Sequence, residues 1–296
     1  MSQSDSTVYL FSYFLHPQQD GLRLAYSRDA YRWTPLNKGE VIFKPTVGEK
    51  ERIMRDPFIL YGPDGRFHML WTTGWNERCI GYAVSDDLIH WEEERALWVM
   101  GHEPDALNCW APEAVYDEES KSYMIFWSTT IPGRFPETDG QNGKNHRIYY
   151  TMTKDFKEHG DVKILFNQGF NVIDANIIRW NGKWLMFLKD ETNVPFTPQK
   201  NLRWAVAERL QGPYSPASPP FSGKAWVEGP SAIEIDGEIH VFYDKYREHA
   251  YGCHKTKDLQ TWEDISDRLE FPPGARHGTV FRASEDVLDN LLSKLG

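Results

Sequence analysis

Apolar and polar residues alternate in short runs along the whole chain, and the runs are separated by turn dipeptides. Period-two alternation marks a half-buried strand, and Asp-Gly or Asn-Gly between two such runs marks a hairpin, because a tight primed turn needs positive φ at its centre. Glu228-Gly229-Pro230-Ser231-Ala232-Ile233-Glu234-Ile235 turns through Asp236-Gly237 into Ile239-His240-Val241-Phe242-Tyr243-Asp244. Asp56-Pro57-Phe58-Ile59-Leu60-Tyr61 does the same through Asp64-Gly65 into Phe67-His68-Met69-Leu70-Trp71. Glu113-Ala114-Val115-Tyr116 leads to Tyr123-Met124-Ile125-Phe126-Trp127, and Asp174-Ala175-Asn176-Ile177-Ile178 turns through Asn181-Gly182 into Trp184-Leu185-Met186-Phe187. Each unit opens on an acid and continues into an aromatic-rich strand.

A third strand follows with its own layout, in Ile80 to Trp91, in Tyr251 to Trp262, and in Leu24 to Trp33. The N-terminal copy has the aromatic strand Tyr9 to Phe14 before it but no opening strand, and the missing piece stands at the other end as His277-Gly278-Thr279-Val280-Phe281. The unit heads at 56, 113, 174, 228 and 277 are spaced by 57, 61, 54 and 49 residues. Repeats of this size, each of about four strands, predict an all-β chain, a five-bladed β-propeller spanning residues 1–296 as a single domain. Pairing of the C-terminal strand with the N-terminal blade would close the ring and remove its free edges. Ser284 with Leu288, Leu291, Leu292 and Leu295 predicts a short capped amphipathic helix at the end.

Composition narrows the function. The net charge of −10 argues against nucleic acid. No apolar run reaches the ~18 residues of a membrane helix. Met1 to Thr7 has no basic and apolar leader pattern, which reads as cytoplasmic, or as periplasmic or secreted if a leader has been trimmed away. Cys79, Cys109 and Cys253 are too few and scattered for a disulfide scaffold or a zinc site. The Pro- and Ser-rich segment from Gln211 to Gly223 reads as a long surface loop within the repeat pattern.

In a propeller the first strand of each blade lines the axis, so the heads should converge at one mouth. Three carboxylates there, Asp56, Asp174 and Glu228, with Glu113 and His277, exceed what structure alone needs, since unpaired buried charge is expensive. The bland reading is that first-strand acids cap loops or hold a structural cation. Glu113 reads equally as a partner of a sugar hydroxyl or of an arginine in the wall. Trp75 and Trp110 read equally as sugar-stacking faces or as packing, whereas Trp71, Trp127 and Trp184 read as core and His68, His90, His240 and His254 as structural or surface residues.

These motifs, in this order, resemble the family 43 glycoside hydrolases, five-bladed propellers that cleave arabinofuranosyl, xylosyl or galactosyl linkages with inversion. Arg55-Asp56-Pro57 resembles the family's base motif, Trp110-Ala111-Pro112 its second-blade element, Asp174 the aspartate that orients and tunes the acid, and Glu228-Gly229-Pro230 its general acid. Arg276-His277-Gly278 resembles the fifth-blade segment whose histidine often ligates a central cation or its water shell. Ala175 departs from the family's usual proline there.

The resemblance implies an inverting, exo-acting hydrolase that removes a terminal α-L-arabinofuranosyl or β-D-xylosyl unit from plant or algal oligosaccharides. Asp56, Asp174 and Glu228 would be catalytic; Arg55, Trp75, Trp110, Glu113, Arg276 and His277 would bind substrate. It implies no organic cofactor and allows a Ca²⁺ beside His277. The general acid must hold its proton near neutrality, and an ionised Asp174 beside Glu228 would favour that form. Retaining fructosidases carry a similar Arg-Asp-Pro, but their Asn-Asp-Pro and Glu-Cys elements are missing here. A related propeller acting on galactosyl or anhydro-galactosyl linkages, as in family 117, and a non-catalytic carbohydrate-binding propeller stay open. The loops expected to set specificity are Thr130 to His146 and Asn193 to Asn201.

Overall fold

The computed structural model describes residues 7–140 and 142–296, so the leader reading, which rests on Met1 to Thr7, lies outside it in all but its last residue. The strands form five antiparallel sheets around an axis. Blade one holds Arg55–Tyr61, Phe67–Thr72, Ile80–Ser85 and Trp91–Leu97, and blade two holds Trp110–Asp117, Ser122–Thr130, His146–Thr153 and Lys163–Phe166. Blade three has Val172–Trp180, Lys183–Asp190 and Asn201–Ala207, and blade four has Glu228–Ile235, Glu238–Lys245, Ala250–Thr256 and Glu263–Asp264. Blade five joins the two ends of the chain: Ala275–Ser284 is its inner strand and pairs with Thr7–Leu15, followed by Arg23–Ser27 and Thr34–Pro35. Each inner strand touches the next, and the fifth touches the first, so the ring closes.

Blade three has three strands where the repeat predicts four. The cause is the segment read as a surface loop, Gln211 to Gly223, whose prolines lack the N–H that a ladder needs. Its Ser215, Ser218 and Phe221 amides still donate to the Val206, Trp204 and Leu202 carbonyls, at 2.7, 2.8 and 3.2 Å. In return the hydroxyls of Ser215, Ser218 and Ser222 accept from the amides of those same three residues. The segment thus covers the edge through side chains without forming a strand.

Asp236-Gly237 and Asn181-Gly182 both carry positive φ at the two turn residues, as the hairpin signal predicts. Asp64-Gly65 differs: only Gly65 is positive, and the Gly62 amide donates to the Arg66 carbonyl across the three residues between them. The core lies between blades. Trp71 and Trp127 are buried within it, while Trp184 is half-buried beneath the Arg179 guanidinium. Gly81 is required where it stands, because a Cβ there would meet the Trp71 ring at 2.0 Å.

After the third strands a second repeated device appears. Ser27, Ser85, Thr153 and Thr256 are each followed two residues later by an aspartate, and the next residue, Ala30, Leu88, Phe156 or Leu259, has positive φ. In blade one the Ser85 hydroxyl accepts from the Asp87 and Leu88 amides, and Asp87 Oδ1 accepts from Ile89 and His90 at 2.9 and 2.8 Å. These turns sit on the outside of the ring. The C-terminal helix Glu285–Leu295 is capped by the Ser284 hydroxyl, which accepts from Val287, and buries Leu288 and Leu291 against the ring.

Candidate active site

The inner strands of all five blades share one irregularity at their mouth end. Arg55 pairs with Thr72 and Phe58 with Leu70, so Asp56 and Pro57 together face one residue of the partner strand. The same two-against-one bulge holds Ala111 and Pro112, Asp174 and Ala175, Gly229 and Pro230, and His277 and Gly278. A bulge of this kind re-aims side chains that a regular strand would alternate. Asp56, Ala111, Asp174 and Gly229 have φ of 51, 46, 53 and 61°, a conformation that costs the non-glycine residues of order 1 kcal/mol each. At Gly229 there is no choice, since a Cβ would lie 2.3 Å from the His277 ring.

The pairing corrects the repeat register. Equivalent positions are Asp56, Ala111, Asp174, Gly229 and His277, preceded by Arg55, Trp110, Ile173, Glu228 and Arg276. Every one of these except Ala111 and Gly229 lines one cavity of about 310 Å³ at the mouth, together with His16, Trp75, Lys189 and Glu191. Glu113 lies two positions deeper and outside that lining. It is buried, and its Oε2 accepts from Asn176 Nδ2 at 2.8 Å. Burial, with the Asp174 charge, pushes its carboxyl up to about 8. Its partner is thus an amide, neither the sugar hydroxyl nor the arginine expected, and it ties blade two to blade three.

Asp56 meets two donors and one neighbouring cation. His277 Nδ1 lies 3.3 Å from its Oδ1, Thr72 Oγ1 donates to Oδ2 at 2.8 Å, and Arg55 precedes it. Burial works against its charge, but the His277 hydrogen bond and charge, with Arg55 and Thr72, outweigh it and hold the carboxyl at about 2. His277 Nδ1 is also 3.8 Å from Asp174 Oδ2. Burial alone would lower the imidazole, yet the Asp174 and Asp56 carboxylates raise it to about 9. Asp174 accepts the Gly229 amide at 3.0 Å. Burial, with the Glu228 and Asp56 charges, pushes it up to about 6 against the pull of His277 and Lys189.

Glu228 is gripped from two sides. Lys189 Nζ donates to its Oε2 at 3.1 Å, and Arg276 Nη2 lies 3.5 Å from Oε1. Arg276 is itself fixed by Asp244, through Nε to Oδ2 at 2.6 Å, and that oxygen also accepts the His277 amide at 3.2 Å. Burial raises the Asp244 carboxyl to about 6, helped by the Glu228 charge and resisted by Arg276.

The two tryptophans form one wall. The Trp110 indole donates to the Trp75 carbonyl at 3.1 Å, and the rings meet edge to face. The Arg55 guanidinium covers Trp75 at 4.3 Å, and the Lys144 ammonium covers Trp110 at 4.0 Å. A face of each ring is therefore already taken by a cation.

Sequence reasoning missed Lys189, Glu191, Asp244 and His16. Lys189 and Asp244 hold the place on their second strands that Thr72 and Ser128 hold on theirs, opposite the residue that opens the bulge. A Ca²⁺ held directly beside His277 does not fit these side chains. Calcium takes oxygen ligands, His277 Nδ1 faces two carboxylates, and among the described residues no three His, Cys, Asp or Glu side chains are placed to hold a metal ion.

A larger depression of about 780 Å³, between Lys245 to Tyr251 and Asp264 to Ala275, contains none of the converging carboxylates.

Comparison with known proteins agrees with this architecture. An α-L-arabinofuranosidase of Bifidobacterium longum subsp. longum is 24% identical over 253 residues, 72% of this chain, and the chain spans only 23% of that enzyme's length. The crystal structure of an exo-1,5-α-L-arabinanase from a bovine ruminal metagenomic library superposes with a TM-score of 0.61 at 17% identity, covering 89% of this chain and 94% of that one. The Cellvibrio cellulosa α-L-arabinanase complexed with arabinohexaose gives 0.58 at 13% identity, covering 93% and 97%. At these identities the two structures show a shared fold. Residues 5–289 match the model described as a probable glycosyl hydrolase domain related to family 43, and the chain belongs to that family.

Proposed function

We propose that the protein is an exo-acting, inverting glycoside hydrolase that removes a terminal α-L-arabinofuranosyl unit from an oligosaccharide, with β-D-xylosyl as the second candidate sugar. One observation carries this reading: a carboxylate held ionised, Asp56, and a second carboxyl group, Glu228, open into the same axial cavity with Asp174. At about 310 Å³ the cavity is at the small end of ligand pockets, roughly 300–1,000 Å³, which suits a single terminal sugar. The arabinose-directed names of the relatives favour arabinofuranose over xylose.

In this reading Asp56 takes a proton from a water molecule whose oxygen attacks the anomeric carbon. The bond from that carbon to the leaving oxygen breaks on the opposite face, and Glu228 gives its proton to that oxygen. Inversion with an intervening water asks for carboxyl groups roughly 6.5–9.5 Å apart. His277 keeps Asp56 in the form that accepts a proton. Asp174 holds the Gly229 amide, and so fixes the backbone that carries Glu228. Arg55, Arg276 and the tryptophan wall orient the sugar.

The test is hydrolysis of methyl α-L-arabinofuranoside, β-D-xyloside, β-D-galactoside and α-L-fucoside, whose poor leaving group needs both acid and base, by the wild type, Asp56→Asn and Glu228→Gln. Cleavage of the arabinofuranoside that falls sharply in both variants supports the reading. Cleavage retained in either variant, or none by the wild type on any substrate, contradicts it.

A further inference from the structure

Five equivalent side chains on the second strands face the bulge of the following blade: Thr72, Ser128, Lys189, Asp244 and Phe14. Each pairs within its own blade with the residue that opens the bulge. Four of them join neighbouring blades. Thr72 accepts the Ala111 amide at 2.8 Å, Ser128 accepts the Asp174 amide at 3.1 Å, Asp244 accepts the His277 amide, and the Phe14 ring carries the Arg55 guanidinium at 4.8 Å.

Lys189 is the exception. Its ammonium has no acceptor for the equivalent amide, that of Gly229, and Asp174 accepts it instead. The blade junction is thus made without it. A lysine 2% exposed is costly to bury unless its charge is compensated, and compensation comes from two carboxylates: Glu191 Oε2 at 2.7 Å and Glu228 Oε2 at 3.1 Å. Glu191 is in turn held by Lys200, which pairs with its other oxygen and donates to its backbone carbonyl at 3.0 Å. The row Lys200, Glu191, Lys189 is therefore pinned at its far end and ends on one oxygen of Glu228. Tyr246 closes it from the side, its ring 4.8 Å from the ammonium.

We infer that Lys189 is a positioning residue for the general acid: anchored by Glu191, it fixes Glu228 Oε2 so that Oε1 is the oxygen presented to the glycosidic bond. Oε1 carries the proton, gives it to the leaving oxygen as the bond to the anomeric carbon breaks, and regains it from solvent. Lys189 makes no covalent bond and transfers no proton. This rests on Glu228 being the general acid, so the experiment must separate the two claims.

The separation comes from the leaving group. General-acid help matters for a poor leaving group such as methanol and little for 4-nitrophenol, whereas loosened packing slows both alike. Wild type, Glu228→Gln, Lys189→Met and Glu191→Gln are compared on the methyl and 4-nitrophenyl glycosides of the sugar cleaved fastest, with melting curves to confirm folding. General-acid catalysis is worth about 10²–10⁴-fold. Lys189→Met is expected to lose about 10²-fold in kcat on the methyl glycoside and less than about tenfold on the nitrophenyl glycoside. Glu191→Gln, which leaves the lysine in place but untethered, is expected to show the same split at about tenfold, and stands in if Lys189→Met does not fold. If Glu228→Gln shows the split while the folded variant at Lys189 or Glu191 slows both substrates equally or neither, the positioning role is wrong and the acid assignment survives. If Glu228→Gln itself shows no split, both are wrong.

Discussion

Two sets of repeated positions in this molecule look alike as backbone and differ in chemistry. The turns after the third strands use the same side chains each time: a hydroxyl, then an aspartate, then a positive-φ residue, in four of the five blades. There the aspartate is spent on its own backbone amides. The bulges at the mouth repeat with equal fidelity, but no two carry the same residues: Arg55-Asp56, Trp110-Ala111, Ile173-Asp174, Glu228-Gly229 and Arg276-His277. Where a repeat keeps its side chains, they serve the turn. Where it keeps only its backbone, the side chains are free to differ, and their differences assemble acid, base and cations around one cavity.

The sharpest way to break that comparison is to change a mouth residue and an outer-turn residue in parallel. Asp56→Asn and Glu228→Gln should each lower kcat on the methyl glycoside by about 10²–10⁴-fold, since the loss is of proton transfer. An equal loss of kcat from Asp87→Ala would erase the distinction.

Gly229→Ala comes next. Its Cβ would collide with the His277 ring, so His277 must move away from Asp56, and kcat/KM should fall by at least about tenfold with destabilisation of roughly 1–3 kcal/mol by calorimetry. His277→Gln removes the cation that favours ionised Asp56, so the acid limb of the kcat/KM profile should move to higher pH. An unmoved limb would mean that His277 does not set the base.

The same pair sets a stability window. His277 is held at about 9, above its ordinary 6.5, so its contribution is complete below pH 6.5 and is lost as pH rises through 9. Asp56 is held at about 2, below its ordinary 3.8, so its contribution is present above pH 3.8 and fades as pH falls towards 2. Melting temperature against pH should lose this plateau in His277→Gln. The smallest effect belongs to the outer turn. Asp87→Ala frees the Ile89 and His90 amides and should cost about 1–2 kcal/mol in thermal unfolding with unchanged kcat.

Much of this was legible in the sequence because hairpins announce themselves locally. Asp236-Gly237 and Asn181-Gly182 fixed two of the turns, and the orphan segment around Val280 announced the closing strand. Glu228-Gly229-Pro230 was readable through its resemblance to the family's general-acid motif, and the structure supplies the physical reason for its glycine, which takes both the positive φ and the close approach of the His277 ring. The bulge was not readable. It adds one residue on one strand without altering the apolar pattern, and for that reason Glu113 looked equivalent to Asp56 while standing two positions deeper. Lys189 and Asp244 were hidden because they act across blades, on Glu228 and Arg276, and a pairing between blades leaves no periodic trace within either strand. The fourth outer turn, Thr153-Lys154-Asp155-Phe156, was missed because it lacks the tryptophan that closes the other copies.

The claim at the centre is that a water activated by Asp56 attacks on the face opposite Glu228. Proton NMR of the first product released from an α-L-arabinofuranoside tests it most directly. The β-anomer of arabinose should appear first and then equilibrate by mutarotation. If the α-anomer appears first, the linkage is cleaved with retention, and the roles assigned to Asp56 and Glu228 are wrong.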